Sequence, residues 1–145
     1  MEPDLTNNFD LRRINSLVLA YIGDGVYELA VRKHLLEKSP YVRVNTIHTA
    51  AVRFVKATSQ CFIIKSLISD HILSEEELDT VIRARNASQN PPKNVPPAVY
   101  NMATGFEALI GSLYISGSLA RLNQITDLAI NIIETKNQHF KEFRW

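Results

Sequence analysis

Two long apolar segments that contain both glycines and carboxylates constrain this chain more than any other feature. Residues 17–31 and 100–115 are apolar at nearly every position, and together they hold four of the five glycines. A helix that is apolar all round is typical of a protein core, so both segments are predicted to be buried helices. Each glycine weakens a helix interior by about 1 kcal/mol relative to alanine, and its lack of a side chain lets another backbone come close. The simplest arrangement is two core helices in contact.

The acids inside these segments break the rules for a buried helix and therefore indicate a site. Asp24 lies between Gly23 and Gly25, and Glu107 lies in the second segment. An isolated ionised carboxylate is costly in apolar surroundings, and departures from local rules cluster at functional sites. If the helices touch, both carboxylates face one place, and proteins usually hold Mg²⁺ by one or two carboxylates and retained waters. The pattern also allows each acid to be satisfied separately, by backbone amides or arginines.

Length, composition and cysteine content predict a single cytoplasmic domain that spans residues 1–145. The chain has 145 residues, of which 46% are hydrophobic, and this suits one globular core. No uncharged apolar run approaches the roughly 20 residues that cross a membrane, and the N-terminus lacks the basic-then-apolar order of a signal peptide. Cys61 is the only cysteine, which predicts no internal disulfide and fits a reducing compartment.

Charge is segregated along the chain, although the net charge is only +1. Acids are absent between Glu37 and Asp70 and again between Asp79 and Glu107, whereas basic residues occur in both stretches. Such segregation can build a basic face, the electrostatic footprint of a phosphate backbone, although ordinary solvated surface explains the same pattern. The candidate phosphate contacts are Arg53, Lys56, Arg83, Arg85 and Lys93.

Capping and turn residues in the first half of the chain predict three helices. The first starts near Asp10 or near Asn15-Ser16 and runs to about Lys38, where Pro40 stops it. Its glycines allow a bend at Gly23-Asp24-Gly25. Asn45 is expected to cap a second helix over residues 46–57. Thr58-Ser59 is expected either to cap a third helix that continues to about residue 69 or only to kink the second helix.

The second half of the chain predicts three more helices and so an all-α fold. Ser74 and Glu77 form a capping box for a helix that ends near residue 87. Residues 88–97 hold four of the six prolines and form a stiff loop. Arg83, Arg85 and Asn86 lead into this loop, where they could grip a substrate or neutralise a helix C-terminus. The second acidic segment follows, and Ser118 caps a last helix to about residue 136.

Other catalytic chemistry finds little support in the sequence. The four histidines are scattered without the spacing of zinc ligands. There is no nucleophile elbow, phosphate-binding loop or dinucleotide fingerprint. Glu28 lies one helical turn after Asp24 and so on the same face; it is either a partner of the site or an exposed glutamate. Carboxylates alone would also allow a helical metal-dependent phosphohydrolase that acts on small molecules.

Two motifs resemble the endonuclease domain of the ribonuclease III family. They are Tyr21-Ile-Gly-Asp-Gly-Val-Tyr-Glu28 and Phe106-Glu-Ala-Leu-Ile-Gly111, in the family's order and about 80 residues apart. The resemblance implies a ribonuclease III endonuclease-domain-like helical bundle that cleaves double-stranded RNA. It also implies that Asp24 and Glu107 are catalytic residues and ligands of Mg²⁺, which Mn²⁺ can replace.

The sequence departs from the family pattern at two acids. The family's usual glutamate four residues before the first acid is Ala20 here, and its usual aspartate three residues before the second acid is Thr104. These departures favour a site with one Mg²⁺ rather than two. Glu28 and Thr104 are then candidates to hydrogen-bond the groups that bind the metal. They also suggest an alternative, a non-catalytic RNA-binding or ribosome-associated module with the same fold.

The chain most resembles the Mini-III subfamily, endonuclease domains without a double-stranded-RNA-binding domain. The motifs Arg85-Asn86 and Pro92-Lys93-Asn94 (Pro-x-Asn) are similar to that subfamily, and this adds Asn86 and Asn94 to the expected RNA contacts. The subfamily's substrate implies maturation of precursor large-subunit (23S) ribosomal RNA.

The resemblance also implies a two-fold homodimer, whose two sites would cut the two strands of a duplex. The expected contact residues flank Asp24 and are Ala20, Tyr21, Gly25 and Tyr27. The alternative is that the chain's own last helix covers them.

Overall fold

A computed structural model describes the backbone of residues 10–142 and the side chains of residues 10–136. A short 3₁₀ turn, Leu11–Arg13, precedes six α-helices, and residues 10–142 contain no β-strand. In chain order the helices are α1 (Ser16–Lys38), α2 (Val44–Val55), α3 (Ala57–Ser69), α4 (Glu75–Ala87), α5 (Pro97–Ile115) and α6 (Leu119–Glu142). The predicted all-α class is confirmed.

The helix α5 is the centre of the fold. It begins at Pro97, a residue whose missing N–H costs nothing at the first helical position. From Ala103 to Leu113 every residue is buried except Glu107, which is half-buried. The helices α1, α3, α4 and α6 pack around it, with α1 making the most extensive contact. The second apolar segment is therefore the buried helix that its composition predicts.

Tyr27 of α1 and Phe106 of α5 join the two helices at the middle of the core. Both rings are fully buried, 4.9 Å apart between centroids and inclined by 88°, an edge-to-face arrangement that aromatic pairs favour. The Tyr27 hydroxyl donates to the backbone oxygen of Phe54 in α2 at 3.4 Å. Because burial raises the pKa of this hydroxyl, it stays a hydrogen-bond donor throughout the neutral range.

Two glycines let the backbones of α1 and α5 touch. A Cβ atom on Gly23 would overlap the backbone oxygen of Glu107, and a Cβ atom on Gly111 would overlap that of Leu19. The helices could not cross at this distance with any larger residue at either position. The predicted contact between two glycine-bearing helices is confirmed.

The first apolar segment is buried on one face only, so the prediction that α1 is covered on all sides is wrong. Its buried residues are Leu19, Ala20, Gly23, Tyr27 and Val31. On the opposite face Val18 is 51% exposed, Tyr21 79% and Leu29 69%. Composition shows that a helix could be buried all round, but the rest of the fold decides how much of it is covered.

Several helix boundaries differ from those predicted. The helix α1 runs without interruption through Gly23 and Gly25. Asn45 lies in the first turn of α2 rather than at its cap, and Lys56 rather than Thr58 or Ser59 separates α2 from α3. An extended residue between two helices can be of almost any type, which is why capping preferences failed there.

The second half of the chain follows its prediction more closely. Ser74 and Glu77 make both hydrogen bonds of the capping box, of 3.2 and 2.9 Å. The helix α4 ends at Ala87 and Gly117 has a positive φ of 73° in the turn after α5, whereas α6 continues beyond residue 136 to Glu142. Within the described part of the chain, no helix has both the length and the apolar character needed to cross a membrane.

Candidate active site

Asp24 and Glu107 meet where α1 crosses α5. Gly23 lies directly against the backbone of Glu107, and this close approach brings the next residue, Asp24, beside the Glu107 side chain. The two carboxyl groups are near enough to interact by a hydrogen bond, which requires one of them to hold a proton. The structure therefore places both acids at one site, rather than each with its own separate partner.

The two acids have different surroundings. Glu107 is half-buried, whereas Asp24 is exposed, so the expectation that Asp24 lies within apolar surroundings is wrong. The pKa of Glu107 is raised to about 8, first by burial and then by the hydrogen bond and the negative charge of Asp24. A hydrogen bond from Gln60 lowers this pKa, and the charge of Glu28 raises it further. The pair thus concentrates negative charge that a proton or a cation would relieve.

An open cavity of about 360 Å³ lies over the two acids. It is bounded by the start of α1, the end of α4 and the first half of α5. The residues that line it are Leu17, Ala20, Tyr21, Asp24, Ser88, Gln89, Tyr100, Thr104 and Glu107. This lining includes two carboxylates and two tyrosines but no basic side chain. Such a cavity suits a hydrated cation together with a polar substrate that approaches from solvent.

Thr104 is buried one turn before Glu107 and belongs to a hydroxyl pair. Its Oγ1 donates to the backbone oxygen of Tyr100 at 3.0 Å and lies 3.0 Å from Oγ of Ser88. The pair connects the loop after α4 to the wall of the cavity formed by α5. Because both members are neutral, this hydroxyl pair adds no charge to the cavity.

Glu28 lies at the border of the site. It is half-buried, and its carboxylate accepts from the guanidinium of Arg32 at 3.4 Å, one turn along α1. Its charge acts on Glu107, yet it does not line the cavity. The structure thus places Glu28 near the two acids, with an arginine partner of its own.

The donors at this site fit a hard divalent cation. The carboxylate oxygens of Asp24 and Glu107 face the same cavity, and Mg²⁺ is usually held through one or two carboxylates with several waters retained. Among residues 10–136 no group of three or more His, Cys, Asp or Glu is placed to hold a metal. Two protein ligands are therefore what this site offers.

The sequence over this site matches a known domain. A family model described as the ribonuclease III domain matches residues 17–118, a range that includes every residue of the cavity lining. The chain belongs to the ribonuclease III family. The protein is accordingly an endoribonuclease of the ribonuclease III type.

Similar proteins within the ribonuclease III family are short like this one. The chain is 47% identical over 119 residues to a Mini-ribonuclease 3 of Symbiobacterium thermophilum, which covers 81% of this chain and 89% of that protein. It is 41% identical over 131 residues to a Mini-ribonuclease 3 of Clostridium tetani, and the match covers 90% of this chain and 85% of that protein. The predicted resemblance to the Mini-III subfamily is confirmed.

A solved structure shares the fold. The crystal structure of a protein from Fusobacterium nucleatum superposes with a TM-score of 0.75 at 30% identity, covering 84% of this chain and 96% of that one. The helical arrangement around α5 is thus found in a related chain.

Arg83, one of the predicted RNA contacts, does not face the cavity of this ribonuclease III site. Its Nε lies 3.2 Å from Oδ2 of Asp79, and its Nη1 donates to the backbone oxygen of Arg12 at 3.4 Å. It lines a different cavity, next to the 3₁₀ turn. Arg83 therefore serves to connect α4 with the N-terminal turn.

The other predicted RNA contacts lie closer to the surface. Arg85 is exposed at the end of α4, and its Nε and Nη2 donate to Oδ1 of Asn86. Lys93 and Asn94 are exposed in the loop before α5. Lys56 is exposed between α2 and α3, and the Arg53 guanidinium lies 5.2 Å from the centre of the Phe54 ring.

Several residues of the site were not anticipated from the sequence, among them Leu17 and Tyr100 of the cavity lining. Ser88 and Gln89 line the cavity although they follow α4 in an irregular segment. Gln60 is buried in α3 and contacts Glu107. The sequence did contain a signal for Gln60. It precedes an apolar run, and a buried side-chain amide nearly always has a hydrogen-bond partner. No local signal distinguishes Ser88 and Gln89 from other loop residues.

Proposed function

We propose that this protein is an Mg²⁺-dependent endoribonuclease that cleaves double-stranded RNA at Asp24 and Glu107. The observation that carries the proposal is the meeting of these two carboxylates from different helices at one open cavity. Membership of the ribonuclease III family supports it, because that family generally depends on divalent metals. A single catalytic domain, residues 1–145, holds the site.

Asp24 and Glu107 are the residues that hold the metal. A bound Mg²⁺ would supply an activated water and stabilise the charge that develops on the scissile phosphate. Asp24 is exposed and would be open to a metal that arrives from solvent. Glu107 would supply a ligand whose position is set by the packing of α5. The crossing at Gly23 keeps the two carboxylates together before any metal binds, so little reorganisation is needed.

One metal site, rather than two, follows from the residues beside these acids. Ala20 is buried and offers no donor, and the Thr104 hydroxyl is already shared between Tyr100 and Ser88. Neither can replace a carboxylate as the ligand of a second Mg²⁺. Thr104 instead supports the cavity wall, and Glu28 contributes negative charge from outside the lining. Mn²⁺, which accepts the same oxygen ligands, is expected to substitute.

Duplex RNA is the proposed substrate, with recognition through shape and phosphate rather than base edges. The cavity is open to solvent, and Arg85 with Asn86 lies at the end of the helix whose following residues line it. Lys93 and Asn94 are exposed in the loop before α5 and are proposed as further contacts, and Lys56 and Arg53 are proposed to contact phosphate near α3. The similarity to Mini-ribonuclease 3 proteins supports precursor 23S ribosomal RNA as the physiological target.

A two-fold homodimer would supply two such sites for the two strands of a duplex. The exposed face of α1 supports this assembly, because Val18, Tyr21 and Leu29 leave an apolar surface uncovered. Gly25 lies on that face with nothing within 4 Å of where its Cβ would be. Ala20 and Tyr27 do not belong to it, since both are buried within the chain. The expectation that they contact a partner is wrong, and so is the alternative that the last helix covers Tyr21.

The cytoplasm is the proposed location, in keeping with a substrate that is a ribosomal RNA precursor. Cys61 is buried as a free thiol, and a protein in a reducing compartment needs no disulfide. A non-catalytic ribosome-associated role, the alternative raised by Ala20 and Thr104, is disfavoured because the two remaining acids still meet at the cavity.

The decisive experiment incubates structured duplex RNA with the protein, with and without Mg²⁺. Wild-type protein should cut the duplex only with metal, and Asp24→Asn and Glu107→Gln should bind it without cutting. Binding without cleavage by the wild type would support the non-catalytic alternative. Failure to bind any duplex, together with hydrolysis of free nucleotides, would favour a small-molecule phosphohydrolase.

A further inference from the structure

Gln60 is a buried amide that lies next to the site without lining the cavity. It occupies the first turn of α3 and is only 2% exposed. Its Nε2 donates to the backbone oxygen of Val55, at the end of α2, at 2.9 Å. This bond anchors the amide on backbone rather than on another mobile side chain.

The same amide also lies close enough to Glu107 to act on its carboxylate. A glutamine amide carries two N–H donors, and with one on Val55 the other is available for the Glu107 carboxylate. This hydrogen bond favours the ionised carboxylate, and so opposes the burial and the Asp24 charge that favour the protonated one. Gln60 thus connects a fixed backbone atom to the half-buried acid of the site.

We propose that Gln60 is a positioning residue that holds the Glu107 carboxylate in the orientation in which it binds metal together with Asp24. This inference rests on the proposed role of Glu107 as a metal ligand. The Oε1 of Gln60 is buried and has no hydrogen-bond partner among the described residues, so the bond from Nε2 to Val55 anchors the amide. Residues that orient metal ligands in this way typically change metal affinity or activity by about 10–100-fold when replaced.

Ser59, the preceding residue, provides a matched control. It is also buried, and its Oγ donates to the backbone oxygen of Arg53, so it bridges the same junction of α2 and α3. Ser59→Ala therefore removes a side-chain bond from this junction without touching Glu107. If Gln60 merely held α2 to α3, the two substitutions would have similar effects.

The test is a calorimetric titration of the full chain with MgCl₂ alone, and separately with MnCl₂, using wild type, Gln60→Met and Ser59→Ala. Gln60→Met should weaken metal binding about tenfold or more, whereas Ser59→Ala should stay within about twofold of wild type. In cleavage assays Gln60→Met should need correspondingly more Mg²⁺ for half-maximal rate. Saturating Mg²⁺ should restore its kcat, and its KM for duplex RNA should not change.

The proposal is overturned if Gln60→Met binds metal as wild type does, or if Ser59→Ala weakens binding equally. Circular dichroism checks that the variants are folded. If Gln60→Met does not fold, Gln60→Asn replaces it. The asparagine side chain is one methylene shorter, so its amide cannot reach Glu107, and the same loss of metal affinity is expected. A wild type that binds no metal overturns the proposed function as well, whereas metal binding by wild type with unaffected Gln60 variants overturns the role of Gln60 alone.

Discussion

Glu107 carries most of the electrostatic cost of the site, because it is the acid that the fold buries. Its pKa of about 8 is far above the usual 4.5, so in metal-free protein the folded state favours the protonated carboxyl. For an acid with a raised pKa, stability falls as the pH rises from the unfolded value towards the folded one. Metal-free protein should therefore lose stability between about pH 4.5 and pH 8 through this group.

Replacing the acids tests this difference between them. Glu107→Gln cannot ionise and should raise the melting temperature of metal-free protein at pH 8, with a smaller gain at pH 5. Asp24→Asn should give a smaller gain, because Asp24 is exposed and only its repulsion of Glu107 is removed. Both variants should lose RNA cleavage. Thermal melts in a chelator at the two pH values provide the measurement, and unfolding of both variants would instead make the acids structural.

Alanine substitutions at Gly23 and Gly25 can be compared directly, because the two glycines lie in the same helix with different surroundings. Gly23→Ala places a Cβ on the Glu107 backbone oxygen and must push α1 away from α5, whereas a Cβ on Gly25 meets nothing within 4 Å. Gly23→Ala should therefore destabilise the fold severely and separate the two acids. Gly25→Ala should stabilise α1 by about 1 kcal/mol. Urea unfolding curves compare them, and equal stabilities would contradict the close crossing.

At the scale of elements, one ion pair ties the start of α4 to α6. Arg121 donates from Nε and Nη2 to the two carboxylate oxygens of Glu77 at 2.9 and 2.8 Å, and Nη2 also reaches the backbone oxygen of Ile72 at 2.7 Å. Glu77 is at the same time the second member of the capping box with Ser74. A single carboxylate thus completes the end of one helix and fixes another helix against it.

The hydrogen bond from Arg121 lowers the pKa of Glu77 below 4.5. An acid with a depressed pKa stabilises the fold above its unfolded pKa, and this contribution is lost as the pH falls through the folded value. Glu77→Gln should therefore lower the melting temperature at pH 7 and have progressively less effect below about pH 4. Hydrogen bonds to charged groups contribute about 1.5–3 kcal/mol. If Glu77→Gln lowered the melting temperature by the same amount at every pH, the ion pair would not contribute to stability.

At the scale of the whole molecule, the exposed apolar face of α1 predicts association. Leu29 is 69% exposed and lies outside the cavity lining, so Leu29→Glu should disrupt the homodimer without altering the site. Light scattering should give roughly twice 16.4 kDa for wild type and about 16.4 kDa for the variant. A wild-type mass near that of one chain at micromolar concentration would rule out the dimer.

Basic residues around the cavity should make RNA affinity depend on salt. Each phosphate contact that is lost should reduce the slope of log K against log salt by about one unit. Arg85→Ala combined with Lys93→Ala should flatten the slope, and Arg83→Ala should not, since Arg83 is paired with Asp79. An unchanged slope in the double variant would move the RNA surface towards Arg53 and Lys56.

Much of the fold could be predicted because the relevant signals are local. The capping box at Ser74, the prolines before α5 and the turn at Gly117 act within a few residues of where they stand. The glycines of α1 and α5 indicated a close helix crossing, since no other residue type could occupy it. Two acids beside those glycines could therefore be predicted to share a site, although the pattern also allowed each acid to be satisfied separately.

Only the tertiary structure decided which parts of each helix are covered and what else reaches the site. The apolar composition of α1 predicted burial on all sides. Within the described part of the chain, however, Tyr21, Asp24 and Leu29 are all exposed. Gln60 meets Glu107, and Arg83 turns away from the cavity, because α3 and α4 pack on different sides of α5. Helical periodicity predicts which residues share one face of a helix. Which helix packs against that face depends on contacts between segments far apart in the chain.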